Sequence, residues 1–250
     1  MQKLFNVLFN FVGLLRSLMV TVPLIYLWTI LMGLFSWLIS PFDQDKHRQH
    51  ACSRIWSRGL LWLSGVKTIV RGKEHIDFSR SYVFLSNHTS YMDIPTLFAH
   101  LPVTFRIMAK SSLFKIPFLG WHLGRTGNMP IGRVGDVRAA ARALLQAMRH
   151  IRNGGPMLVF PEGGRTPDGK LQEFKPGIFL AAIKTGTPIV PITIRGTGHA
   201  LPSNSWHLRP GKIEVFLDAP IETEKLTKAD LDSLISQVRD RMESHLTSSK

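Results

Sequence analysis

From Ser17 to Phe42 the chain runs 26 residues without a formal charge, and the centre of that run, Leu18 to Ile39, is built almost wholly of large apolar side chains. A helix of about 20 such residues crosses the hydrocarbon core of a bilayer. A shorter apolar run, Leu4 to Leu15, precedes it, and Arg16 and Pro23 divide the two. Two arrangements satisfy the pattern: the second segment spans once, or two shorter helices form a hairpin embedded from one face. The start Met-Gln-Lys followed by Leu4 to Leu15 imitates a signal peptide, but no small-x-small cleavage site follows it. Next comes a polar stretch, Asp43 to Ser53, then Arg54, Arg58 and Lys67, and positive charge beside a hydrophobic segment favours the cytoplasmic side.

The whole chain carries a net charge of +14, which calls for an acidic partner: nucleic acid, anionic lipid, or an acidic carrier such as coenzyme A or acyl carrier protein. Beside an apolar anchor the charge reads best as attraction to lipid head groups, each Lys or Arg near the surface contributing about 1 kcal/mol. Nucleic acid is set aside because no aromatic-interleaved or helix-turn-helix pattern accompanies the charge. One cysteine, Cys52, leaves no disulfide and no cysteine-rich metal site to build. His47 and His50 lack a further ligand cluster and read as solvated surface histidines, so no metal site is expected.

Two segments carry chemistry. Asn87-His88-Thr89-Ser90-Tyr91-Met92-Asp93 follows the apolar run Tyr82 to Leu85. On one continuous helix, residues five apart diverge by roughly 140°, so His88 and Asp93 meet only if His88 lies in a loop and Asp93 in the first helical turn. The motif thus predicts strand, loop, then helix. A carboxylate that fixes an imidazole's tautomer makes it a base able to take a hydroxyl proton near neutral pH. The second segment, Phe160-Pro161-Glu162-Gly163-Gly164-Arg165, follows the apolar run Pro156 to Phe160. Its glycines allow close backbone approach, and Arg165 offers a planar fork of donors suited to phosphate. Strand ends of this kind are where α/β sheets bind ligands.

Around these motifs the sequence predicts strands near 67–70, 81–86, 104–109, 157–160, 189–194 and 213–217. Helices are expected over 91–100, 137–151, 176–184 and 225–246, with short helical pieces and loops between Lys110 and Met129. Asp136 is the expected N-cap of the alanine-rich helix, whose arginines at 138, 142, 149 and 152 read as one solvated basic face. Strands alternating with helices predict an α/β fold: a mostly parallel central sheet flanked by helices, with an N-terminal membrane-embedded helical segment. The expected division is an anchoring helical pair and basic linker over 1–60 and a catalytic domain over 61–250.

Two further stretches, Lys110 to Trp121 with Gly127 to Arg133, and Ile189 to Ile192, complete a set of four ordered blocks. On these the chain resembles the glycerolipid acyltransferases of the lysophosphatidic acid acyltransferase (1-acylglycerol-3-phosphate acyltransferase) group. The first block is matched by Asn87, His88 and Asp93, and the second by Lys110, Pro117, Gly120 and Arg133. Phe160, Pro161, Glu162, Gly163 and Arg165 match the third, and Val190, Pro191 and Ile192 the fourth. Gly132 stands where the family usually has Asp, and Gly164 where it usually has Thr. Both fall beside the expected phosphate contacts and bear on which acceptor is used.

The resemblance implies transfer of a fatty acyl group from acyl-CoA or acyl carrier protein to the sn-2 hydroxyl of 1-acylglycerol-3-phosphate, giving phosphatidic acid for phospholipid biosynthesis. His88 is then the base and Asp93 its support. Lys110, Arg133 and Arg165 hold the acceptor's phosphate. Asn87, Gly163 and Gly164 join the substrate site, where Glu162 orients Arg165 or accepts from the acceptor's glycerol. Oxyanion donors are expected among the amides near His88 or in the Gly163–Gly164 turn, and Pro191 shapes the acyl-donor cleft. The resemblance favours the helical hairpin, seated on the cytoplasmic face of the inner membrane, and needs no cofactor, since the thioester is a substrate. Other acceptors, such as glycerol-3-phosphate or lyso-ornithine lipid, fit the same blocks, as does a non-catalytic membrane-bound lipid or coenzyme A binding protein. A serine hydrolase does not fit, because no Gly-x-Ser-x-Gly elbow occurs.

Overall fold

Strands buried along nearly their whole length can lie only in the middle of a sheet covered on both faces, and three segments meet that condition. They are β2 (Val83–Ser86), β5 (Met157–Val159) and β6 (Ile189–Arg195). In the computed structural model, which describes residues 2–43, 46–132, 137–166 and 168–247, these form the centre of a seven-stranded sheet. The others are β1 (Val66–Arg71), β3 (Arg106–Lys110), β4 (Met129–Ile131) and β7 (Gly211–Leu217), in the order β1-β7-β6-β2-β5-β3-β4. Every neighbouring pair is parallel except β6 and β7, so β1 and β7 run against the other five.

Side chains alternate across the sheet and feed two cores. Phe84, Val190 and Ile192 pack with Leu60 and Leu61 of α3 (His47–Leu63) and Leu97 and Phe98 of α4 (Asp93–His100). Val83, Leu85 and Ile189 face the opposite layer, made of α6 (Val137–Arg152), α7 (Pro176–Thr185) and α9 (Leu231–Thr247). Each fully buried Leu, Ile or Phe contributes roughly 1.5–3 kcal/mol, so these two cores hold the sheet in place. The arginines at 138, 142, 149 and 152 are exposed, as a solvated face requires. Asp136, the expected N-cap of α6, lies outside the described residues.

The N-terminal region differs from the expected hairpin. The two apolar segments, α1 (Gln2–Arg16) and α2 (Val22–Ile39), form one continuous helix joined by a π-helical turn at Ser17–Thr21. Pro23 removes an N–H from the helical ladder, and the widened turn just before it lets the helix continue where a break was expected. The stretch Asn10–Phe42 is long and apolar enough to cross a membrane by length and composition. Leu18, Met19, Leu27, Leu31, Phe35 and Leu38 are all exposed along it.

The antiparallel partner of α2 is α3, in the stretch expected to be a polar linker. The Asp43 carboxylate accepts the N–H groups of Arg48 and Gln49 at the start of α3. Trp28 donates to the Trp56 carbonyl, Trp56 Nε1 donates to Thr29, and Gly59 leaves the room that the Trp28 indole fills. His50 is buried rather than solvated: it accepts from the Phe105 N–H at 3.2 Å, packs on Phe98 and Phe105, and burial lowers its pKa to about 3. In α5 (Leu119–Arg125), His122 bridges the Ser36 and Ser53 hydroxyls at 2.7 and 2.6 Å, and burial lowers its pKa to about 4. A neutral imidazole thus pins α2, α3 and α5 together.

Candidate active site

Strand β2 ends at Ser86, the chain loops through Asn87 to Met92, and α4 begins at Asp93. This is the strand, loop and helix that the His-x4-Asp spacing predicts. Asp93 is fully buried, and its Oδ2 accepts the Thr89 N–H at 2.8 Å and the Ser90 N–H at 2.9 Å. The same oxygen lies 2.7 Å from His88 Nδ1. An oxygen already accepting two amides accepts a third donor, so the hydrogen sits on Nδ1 and Nε2 keeps its lone pair. No described residue hydrogen-bonds Nε2. The ring also stacks on Phe160, with centroids 4.0 Å apart and planes at 19°, which fixes its remaining freedom.

Strand β5 lies beside β2, and the two motif loops are tied together. Glu162 is the tie: Oε1 accepts the His88 N–H at 2.8 Å, while Oε2 accepts from Thr166 Oγ1 at 2.6 Å and from the Gln172 N–H at 3.0 Å. The Thr166 N–H donates back to the His88 carbonyl at 2.8 Å. Glu162 therefore does not orient Arg165, and both its oxygens are already engaged. Asn87 is likewise turned inward. Its side-chain amide exchanges two hydrogen bonds with the backbone of Ile194, at 2.9 and 2.7 Å, and clamps the end of β2 to β6. A substrate contact by its side chain is replaced by this clamp.

These bonds also narrow the supply of oxyanion donors. The N–H groups of His88, Thr89 and Ser90 serve Glu162 and Asp93, and that of Gly163 bonds the Phe160 carbonyl. Among the described residues, the N–H groups of Gly164 and Arg165 have no partner. Gly163 needs its hydrogen side chain, with φ at +72° and the Lys175 Nζ packed where a Cβ would lie. Gly164 faces open space.

Arg165 makes no ion pair among the described residues. Its guanidinium carbon sits 3.7 Å from the centroid of the Tyr91 ring, and its Nη1 is buried with no hydrogen-bond partner. Lys110 is exposed at the end of β3, also without a partner among the described residues. Strand order explains how these groups meet: β2, β5, β3 and β4 are successive neighbours, so His88, Glu162 to Arg165, Lys110 and Gly132 follow strand ends on one edge, about 5 Å per strand apart. Lys110 pairs in register with Ile131. Arg133 lies outside the described residues. Pro191 is buried mid-strand in β6 beside Leu85, so it acts on any cleft only through the spacing of the sheet.

The motif reading passed over Tyr91 and Lys175. The only signal for Tyr91 was an aromatic between the two anchoring residues, and for Lys175 a cation ten residues beyond Arg165. A brace between Thr197 and Arg209 also escaped it. Ser90 Oγ donates to the Leu201 carbonyl at 2.7 Å, Ser203 Oγ to the Thr89 carbonyl at 3.3 Å, and Thr89 and Thr197 share a hydroxyl contact at 2.9 Å. At its far end this loop grips the apolar helix. Buried Ser17 donates to the Trp206 carbonyl at 2.6 Å and accepts the Leu208 N–H at 2.9 Å.

The family model described as acyltransferase matches residues 67–195. A 1-acyl-sn-glycerol-3-phosphate acyltransferase of Borreliella burgdorferi is 33% identical over 193 residues, covering 77% of this chain and 75% of the relative. The chloroplastic 1-acyl-sn-glycerol-3-phosphate acyltransferase BAT2 of Brassica napus is 34% identical over 204 residues, 80% of this chain. The chain spans little more than half of that relative, 57%. Among solved structures, the 1-acyl-sn-glycerophosphate (LPA) acyltransferase PlsC of Thermotoga maritima superposes over 100% of both chains, with a TM-score of 0.76 and 26% identity.

Proposed function

The chain belongs to the acyltransferase family, and from that premise we propose that it acylates the sn-2 hydroxyl of 1-acylglycerol-3-phosphate from acyl-CoA or acyl carrier protein, giving phosphatidic acid. The observation that carries this reading is the His88–Asp93 contact at 2.7 Å with Nε2 left free, on the same sheet edge as an arginine whose Nη1 has no partner. In the proposed step the acceptor hydroxyl gives its proton to His88 Nε2 while its oxygen attacks the thioester carbonyl carbon. The tetrahedral intermediate then expels the thiolate, which takes the proton from the imidazolium. Asp93 stabilises the imidazolium in between, and no covalent enzyme intermediate forms.

General base catalysis supplies about 100- to 10,000-fold, so orientation and oxyanion stabilisation provide the rest. The N–H groups of Gly164 and Arg165 are our candidates for the oxyanion. Lys110, Arg133 and Arg165 receive the phosphate, and the strand spacing sets its distance from the reacting hydroxyl. The step as proposed draws on no metal or bound cofactor. The apolar helix and the basic residues after it support seating at the cytoplasmic face of the inner membrane, where a lysolipid acceptor resides.

The test uses detergent-purified protein with lysophosphatidic acid and either acyl donor, following thiol release and diacyl product together. Wild type is expected to form both in equal amounts, and His88→Ala to lose at least about 100-fold of each. Thiol release without diacyl product would make the protein a thioesterase. Absence of turnover with either donor and any lysolipid would leave a lipid-binding role.

A further inference from the structure

Among the described residues, Arg165 is the one cation of the site whose side chain the fold holds, and what holds it is Tyr91, one of the four residues between His88 and Asp93 to which the motif assigns no role. We infer that Tyr91 is a positioning residue for the acceptor's phosphate, setting the plane in which the Arg165 guanidinium receives it. This rests on the acyltransferase reading above.

The backbone on either side of Arg165 is fixed: the Glu162 carboxylate ties its loop to His88, and the Thr166 N–H is bonded to the His88 carbonyl at 2.8 Å. The side chain is not fixed by polar groups. Among the described residues no carboxylate, carbonyl or hydroxyl accepts from it, and Glu162, three residues before it, is occupied by three other donors. The contact that remains is the Tyr91 ring, at 3.7 Å, well inside the reach of a cation over an aromatic face. Tyr91 itself is otherwise unexplained. Its side chain is 56% exposed, and no described residue bonds its hydroxyl. The ring therefore serves by its face.

The donors of a guanidinium lie in the guanidinium plane. Fixing that plane fixes the direction from which an oxyanion can be received, and the buried, unpaired Nη1 marks a donor still lacking its acceptor. Because Tyr91 stands in the loop between His88 and Asp93, the phosphate anchor and the base are set by the same few residues. Their relative placement is thereby set within one pair of loops tied by Glu162. Acceptors without an anionic phosphate gain nothing from the arrangement.

The experiment compares wild type, Tyr91→Phe, Tyr91→Leu and Tyr91→Ala as full-length protein in detergent. For each, steady-state KM for lysophosphatidic acid and for the acyl donor is measured, together with equilibrium binding of lysophosphatidic acid. Loss of the ring is expected to raise the acceptor's KM and Kd by about tenfold. The donor's KM and the pH profile of kcat should stay within about twofold, and Tyr91→Phe should match wild type. Unchanged acceptor binding in both Tyr91→Leu and Tyr91→Ala overturns the inference, as does a parallel rise in both KM values, which marks general loosening of the loop. The Leu variant covers the case in which Ala fails to fold. Should wild type bind lysophosphatidic acid without turning it over, the acyltransfer reading fails, and the binding comparison still decides the role of Tyr91.

Discussion

The two halves of the candidate site differ in how much of their hydrogen-bonding capacity the protein itself consumes. Around His88 most polar atoms are taken: Asp93 Oδ2 accepts three donors, Glu162 accepts three, and Asn87 is closed on Ile194, with Asp93 Oδ1 the buried exception. On the cationic side, Lys110 has no partner among the described residues, and Arg165 leaves a buried nitrogen unpaired. The closed half fixes one lone pair in space. The open half is left short of negative charge, which is the state in which a site gains most from an anionic ligand. A chain that merely bound lipid would have no use for the first half, and one that merely hydrolysed thioesters would have no use for the second.

The contrast can be broken at its strongest point by Asp93→Asn. The side chain keeps its size but no longer holds the imidazole in the right tautomer, and kcat is expected to fall by about 1,000- to 10,000-fold with acceptor KM little changed. Steady-state kinetics on lysophosphatidic acid check it; a loss confined to KM would place Asp93 in binding instead. Glu162→Gln tests whether the closed half is held by its own bonds. An amide nitrogen would face N–H donors, so unfolding free energy should drop by about 2 kcal/mol and kcat should fall with it. Denaturant melts read the first effect, and an unaltered melt would remove Glu162 from the scaffold. Lys110→Ala, on the open half, should leave the melt unchanged while raising the acceptor's KM about tenfold, roughly 1.4 kcal/mol. A loss of stability there would mean that the lysine has a structural partner.

The same contrast explains what the sequence made legible. Side chains whose role is chemical are recognisable from residue type and spacing, which is how His88, Asp93 and Arg165 come to stand together on one sheet edge. The central strands were equally plain, because wholly apolar runs such as Val83 to Leu85 have few other places to go. Asn87 and Glu162 were harder to read, since what they satisfy is the backbone of distant segments: Ile194 is 107 residues from Asn87, and His88 is 74 residues from Glu162. Helix α3 was missed for a related reason. Its buried face contains Gln49, Ser53 and Ser57, small or polar residues that meet α2 and His122, so its composition resembles a linker. Pro23 misled in the opposite direction, because a π-helical turn absorbed the break that a proline normally imposes.

Ser17 grips the loop that also carries Ser203, and through it the apolar helix reaches the Thr89 and Ser90 segment beside the base. The helix is for that reason not a detachable tether. Trimming the chain after the π-helical turn, or grafting an unrelated anchor in its place, removes the hydroxyl that holds Trp206 and Leu208 and frees one end of the support under the histidine loop. Only α1, on the N-terminal side of that turn, is exchangeable in this molecule, and any replacement that reaches into the turn has to bring its own counterpart to Ser17.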